Sequence, residues 1–185
     1  YLTAELVDPI DKTKPYLSGD EFDATMNYNF SFLVHDFFVQ DLKGSSVTQF
    51  DSKLKELREG FGEGVAMNMQ NLVGSHDATR IGSAVANPDG KKFGDWGDYF
   101  NWSQKSNNKG YNARKPTANQ LEKQKLIAAF QLLYLGAPMI YYGDESGRSL
   151  VIEGTQGDAT LRSFMNWKAI KTNPETQKTL AHWQK

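Results

Sequence analysis

The chain has 185 residues, enough for one domain with a real core, and an ordinary globular composition. Its 21 Lys and Arg against 22 Asp and Glu offer no basic face for nucleic acid or another polyanion, so a neutral ligand fits better. The absence of cysteine excludes disulfides and thiolate metal sites, and no apolar run approaches the roughly 20 residues of a membrane span.

Tyr1 to Val7 is an apolar, β-branched run that reads as a strand ending near Glu5, and Asp8-Pro9 breaks it. It opens without Met or a polar lead, as if the chain began inside a fold. Residues 8 to 21 read as a loop, and Phe22 to Tyr28 as a second strand whose end carries Asn27 and Tyr28. Phe30, Leu33, Val34, Phe37 and Phe38 then fall at helical spacing, predicting a helix with one apolar face that ends near Gly44. His35, inside it, reads as a packed side chain rather than a ligand.

Ser46-Val47-Thr48-Gln49 has capping-box spacing and opens a helix through Phe50, Leu54, Leu57 and Phe61, stopped by Gly60 and Gly62. Met67 to Val73 predicts a third strand. It runs into Ser75-His76-Asp77-Ala78-Thr79-Arg80, an abrupt cluster of polar and titratable groups at the end where α/β folds gather their chemistry. An adjacent His and Asp cannot share one strand face, so at least one of them faces loop space. The competing reading is a helix N-cap region, with Ser75 or Asp77 capping and Arg80 paired with Asp77.

From Gly82 to Lys115 regularity is lost in a segment rich in Gly, Asn and aromatics (Phe93, Trp96, Tyr99, Phe100, Trp102, Tyr111), which reads equally as a binding rim or a small packed cluster. Thr117 to Gln120 repeats the capping box. The helix it opens presents Leu121, Leu126, Ile127, Phe130, Leu133 and Tyr134 as its apolar face and closes at Gly136. Ala137 to Tyr142 predicts a buried strand breaking at Gly143-Asp144-Glu145, and Asn173-Pro174-Glu175 starts one more helix. Strands alternating with helices imply a parallel sheet with helical crossovers. Periodicity leaves an open doubly wound sheet and part of a closed barrel both open, although no Gly-rich phosphate fingerprint follows any strand.

Four segments together resemble glycoside hydrolase family 13, the α-amylase family, in its neopullulanase and cyclomaltodextrinase-like members. Ala4-Glu5-Leu6 resembles the strand-five motif, and Gly19 through Asp23 to Tyr28 the strand-six motif. Asn71 through His76-Asp77 to Arg80 is similar to strand seven. Gly136 through Tyr142 to Glu145, followed by Asp158, Arg162, Met165 and Trp167, is similar to strand eight and its following run. Ala4 and Leu6-Val7 depart from the Gly and Trp that many relatives carry around the acid.

The resemblance implies that residues 1 to 185 are the C-terminal half of a (β/α)8 TIM barrel, strands five to eight with their helices, from an enzyme that cleaves α-glucosidic bonds with retention. It implies Glu5 as general acid/base, Asp77 as the carboxylate that grips sugar hydroxyls in the transition state, and His76, Asn27, Tyr28 and Arg80 as substrate contacts. The nucleophilic Asp of strand four is not found here, and Asp23 is not promoted to that role. The expectation is an isolated chain that is inactive and that seeks its missing half or a second copy. Its ligand would be an α-glucan oligosaccharide, with no cofactor or metal in this segment and calcium left open elsewhere in the intact protein. A non-catalytic carbohydrate-binding or scaffold relative is the alternative, and a transglycosylase a weaker third reading.

Overall fold

The computed structural model describes residues 1–40, 44–88, 97, 101–149 and 157–185. Its frame is a four-stranded sheet of β1 (Thr3–Ala4), β2 (Ala24–Asn27), β3 (Gln70–Leu72) and β4 (Ala137–Met139), every neighbouring pair parallel and the spatial order the same as the chain order. A doubly wound sheet reverses its order at a switch point. This sheet never reverses, which is the progression of a barrel wall.

Between strands lie α1 (Ile10–Thr13), α2 (Tyr28–Val34), α3 (Val47–Phe61), α4 (Glu63–Ala66), α5 (Ile81–Val85) and α6 (Ala118–Leu133), and after β4 come α7 (Trp167–Thr172) and α8 (Pro174–Trp183). The starts of α3 and α6 are set locally. Ser46 and Thr117 each accept the N3 backbone N–H while Gln49 and Gln120 reach back to the cap, completing both predicted capping boxes. Asn173 caps α8 by the single bond its side chain accepts from the Thr176 N–H, with Pro174 in the first turn.

One core joins Phe30 and Val34 of α2, Phe50, Leu54, Leu57 and Phe61 of α3, and Ile127 of α6 to Met69 and Val73 on either side of β3. Phe37 stacks on Phe50 at 4.2 Å between ring centroids. A smaller cluster of Tyr28, Leu72 and Ala78, with Val7, Met26, Phe32 and Met139 against it, gathers around the sheet.

Several expectations are corrected. The strands are shorter than their apolar runs, and residues 10 to 17, expected as loop, form α1 and a 3-10 turn (Lys14–Leu17). Regularity is not lost from Gly82, which lies inside α5. The predicted helix from Phe30 changes at His35 to a π turn, His35–Val39, where the buried imidazole is held by the Val73 carbonyl at 2.8 Å.

Strand β4 was expected to be buried, yet Ala137 and Pro138 are exposed, because β4 is a sheet edge and proline, which lacks an N–H, is tolerated at an edge. On α6 the inward face is set by Gln124, Ile127, Ala128 and Gln131, while Leu126 and Leu133 are 58% and 87% exposed. Helix α6 ends at Leu133 rather than at Gly136. With φ at +116°, Gly136 instead turns the chain into β4, where a Cβ would stand 2.6 Å from Asn71 Nδ2 and 2.9 Å from the Met69 carbonyl.

Candidate active site

The loop leaving β3 is closed by its own side chain. Ser75, fully buried, accepts the backbone N–H groups of Asp77 at 3.1 Å and Ala78 at 3.0 Å, a turn that swings His76 and Asp77 out of the strand direction. Gly74 packs tightly beneath it, since a Cβ there would meet the Thr79 carbonyl at 3.0 Å. His76 and Asp77 therefore remain partly exposed, with the imidazole Nε2 3.3 Å from Asp77 Oδ2.

Glu5, at the end of β1, reaches the same place. One ligand atom each from Glu5, His76 and Asp77 lie within 4.8 Å of one another, so two strand ends contribute to one constellation. Tyr28, at the end of β2, supplies the floor. Its hydroxyl donates to Glu5 Oε1 at 3.1 Å and lies 3.3 Å from Ser75 Oγ. Because Ser75 Oγ already accepts two backbone N–H groups, its own proton is directed to Tyr28, and a chain of donors runs from Ser75 through Tyr28 to Glu5. Burial of Tyr28, reinforced by the Glu5 and Asp77 carboxylates, pushes its phenol well above the ordinary value, so it acts as a donor across the working pH range.

Asp77 is clamped from the other side. Arg162 donates from Nη2 to Asp77 Oδ1 at 2.8 Å and from Nε to the His76 carbonyl at 3.4 Å. The two carboxylates are thus treated differently: Asp77 has one oxygen near Arg162 and the other near His76, whereas Glu5 is exposed and receives the Tyr28 hydroxyl. Among the described residues, Glu5, His76 and Asp77 form the one cluster spaced to share a cation. A cation there would have to compete with Arg162 for Asp77.

Two residues expected at the site lie elsewhere. Asn27 is buried, its Oδ1 capping α2 at Phe30 N and its Nδ2 donating to Asn71 Oδ1 at 2.8 Å. Arg80 is fully buried and does not pair with Asp77, so of the N-cap alternative the Ser75 acceptor holds and the Arg80–Asp77 pair does not; Arg80 lies 3.6 Å from Asp144 Oδ1 and donates to the Tyr142 carbonyl at 2.6 Å. Its guanidinium carbon sits 4.2 Å from the Tyr141 ring centroid and 4.7 Å from that of Tyr142. Burial pushes the Asp144 carboxyl up to about 7 against the pull of Arg80.

Sequence reasoning did not single out Ser75 as a link to Tyr28, although a Ser two and three residues before backbone donors is a recognisable turn signal. Nor did it connect Arg162 to Asp77, since 85 residues separate them. Of the aromatic segment, Phe93, Trp96, Tyr99 and Phe100 lie outside the described residues. Trp102 and Tyr111 pack edge to face at 5.1 Å with Tyr111 fully buried, which makes this pair a small core.

The family described as "Alpha amylase, catalytic domain" matches residues 1–185. The chain is 31% identical over 156 residues to a cyclomaltodextrinase of a Bacillus species, covering 84% of this chain and 21% of that protein. It is 30% identical over 158 residues to neopullulanase 2 of Thermoactinomyces vulgaris, covering 85% and 20%. The ligand-free cyclic α-maltosyl-(1→6)-maltose hydrolase of Arthrobacter globiformis superposes with a TM-score of 0.64 at 26% identity, over 99% of this chain and 32% of that one. The chain thus spans about a fifth of the length of these curated relatives.

Proposed function

This chain belongs to the α-amylase family, and from that premise we propose that it is the C-terminal half of the catalytic barrel, strands five to eight, of a retaining α-glucan hydrolase. The observation that carries the reading is the convergence of Glu5, His76 and Asp77 from two strand ends to within 4.8 Å. Barrel enzymes build their sites at this end of the strands from several strands at once.

In this reading Glu5 is the general acid/base. Protonated, it delivers its proton to the leaving glycosidic oxygen; as carboxylate it then takes a proton from the water that hydrolyses the glycosyl-enzyme. Tyr28 suits this cycle because its hydroxyl orients the Glu5 carboxyl by a donor bond and does not itself take the proton. Asp77, held by Arg162, suits the opposite task of receiving sugar hydroxyls whose hydrogen bonds strengthen as the ring flattens toward the oxocarbenium-like state. His76 bonds the same sugar unit. The carboxylate that attacks the anomeric carbon, roughly 5 to 5.5 Å from the acid in retaining enzymes, comes from outside these residues. Asn27 and Arg80 act as supports rather than sugar contacts.

Two features support the half-barrel part of the reading. Among the described residues both edges of the sheet are open, at β1 and β4, and apolar side chains such as Leu2, Leu133 and Phe164 are 60%, 87% and 96% exposed. The isolated chain is then inactive and pairs with its missing half or with itself; a monodisperse monomer in sedimentation counts against this.

Turnover of maltodextrin by the intact protein, lost in Glu5→Gln and in Asp77→Asn, is the test. Undiminished turnover in either variant contradicts the assignment. Specific sugar binding without any turnover favours the non-catalytic alternative.

A further inference from the structure

Arg80 is an expensive residue to bury. Its side chain is fully enclosed, Nε and Nη2 have no hydrogen-bond partner, and neither oxygen of the equally buried Asp144 accepts a hydrogen bond. A buried ion pair with incomplete hydrogen bonding is a poor stabiliser beside an apolar side chain of the same volume. What the planar guanidinium does provide is geometry. It lies against Tyr141 and Tyr142 and holds the Tyr142 carbonyl at 2.6 Å, fastening the exit of β4 to the exit of β3.

The linkage continues back to the site. The Tyr142 hydroxyl donates to the Ser163 carbonyl at 2.5 Å and accepts the Ser163 N–H at 3.1 Å. The residue before Ser163 is Arg162, whose Nη2 grips Asp77 Oδ1 at 2.8 Å. Asp77 lies three residues from Arg80 on the same turn, so the path closes into a ring from Arg80 through Tyr142, Ser163 and Arg162 to Asp77. The Arg162–Asp77 contact is about half exposed on the Arg162 side and a third on the Asp77 side. An ion pair in that setting does not hold one geometry unaided.

We propose that Arg80 is a positioning residue for Asp77, acting through Tyr142 and the Ser163–Arg162 backbone rather than by touching sugar. The proposal rests on the functional reading of Asp77 given above.

The test uses the intact protein and maltooligosaccharide kinetics. Tyr142→Phe removes the hydroxyl link while leaving the ring and the carbonyl that Arg80 holds. It lowers kcat roughly tenfold with KM changed less than about twofold, because a misplaced group is felt most in the transition state. Arg80→Lys, which keeps the charge but not the fork, falls with it. In an Arg162→Ala background the Tyr142→Phe substitution has no further effect, because both interrupt one path. In a crystal structure of Tyr142→Phe, the Arg162–Asp77 contact is open.

Additive losses, or a contact still closed in Tyr142→Phe, overturn the proposal. An open contact together with full turnover by Asp77→Asn overturns the functional reading instead and leaves the linkage standing.

Discussion

The exits of β1 and β3 each present one carboxylate to the same space, and they are built in contrary ways. Around Asp77 everything is specified: Ser75 closes the turn, Gly74 packs tightly beneath it, and Arg162 and His76 occupy the carboxylate. Around Glu5 little is fixed. β1 has two residues and stands at an open edge, and Glu5 is exposed with the Tyr28 hydroxyl against it. A group that must hold a sugar against distortion gains from rigidity, whereas one that must exchange a proton with a leaving oxygen and then with water needs access. The contrast in packing therefore matches the division of labour proposed for the two acids.

The largest expected effects test that division directly. Glu5→Gln and Asp77→Asn in the intact protein each lower kcat on maltooligosaccharides by roughly 10² to 10⁴. They differ in rescue. An activated substrate with a good leaving group restores the first turnover of Glu5→Gln, since protonation is no longer needed, and does nothing for Asp77→Asn. Equal rescue of both erases the distinction.

Next comes the framework behind β3. Gly136→Ala costs about 2 to 4 kcal/mol in chemical denaturation, because φ is positive, the Met69 carbonyl is backbone, and the Asn71 amide is held by its own bonds to the Leu135 carbonyl and Asn27. Ser75→Ala leaves two backbone N–H groups without their acceptor and costs about 1 to 3 kcal/mol, with a fall in kcat as Tyr28 loses its donor. A loss of stability with kcat intact would cut Ser75 out of the chain of donors.

The pH dependence of stability sharpens the comparison further, because buried groups behind the β3 exit titrate in opposite senses. Burial lowers His35 to about 4, so the unfolded chain binds the extra proton between about pH 6.5 and 4 and stability falls as acid is added over that window. Burial raises Asp144 to about 7, so the folded chain holds the extra proton between about pH 4 and 7 and stability falls as pH rises through it. The two slopes oppose each other. Asp144→Asn removes one and uncovers the other, so this variant gains stability from pH 4 to 6.5, by up to roughly 3 kcal/mol. A flat profile in Asp144→Asn contradicts the burial of His35 as a neutral imidazole.

The smallest expected effect lies on the solvent face of α3. Lys53→Ala, which deletes an exposed pair with Glu56, changes stability by less than about 0.5 kcal/mol.

What was legible in the sequence follows the range of the interactions. The capping boxes at Ser46 and Thr117 and the Asn173 cap were readable because donor and acceptor lie three residues apart. The position of Asp77 at the end of a strand was readable from the break in the apolar run. The inward face of α6 was not. Gln124 and Gln131 look like solvent-facing residues, yet Gln124 donates to the Asp144 carbonyl and Gln131 to the carbonyls of Asn71 and Met139. Those carbonyls lie outside the helix, 8 to 60 residues away along the chain, so no periodicity announces them. The same holds for Arg80, whose partners follow β4, and for Arg162, whose tie to Asp77 crosses 85 residues.

One measurement tests the central claim most directly: proton NMR of the intact protein acting on a maltooligosaccharide, following the anomeric signals before mutarotation, beside the Glu5→Gln variant. The first reducing ends released are α-anomers, and Glu5→Gln releases them at least a hundredfold more slowly. β-Anomers at the outset, or wild-type rates from Glu5→Gln, would contradict the claim.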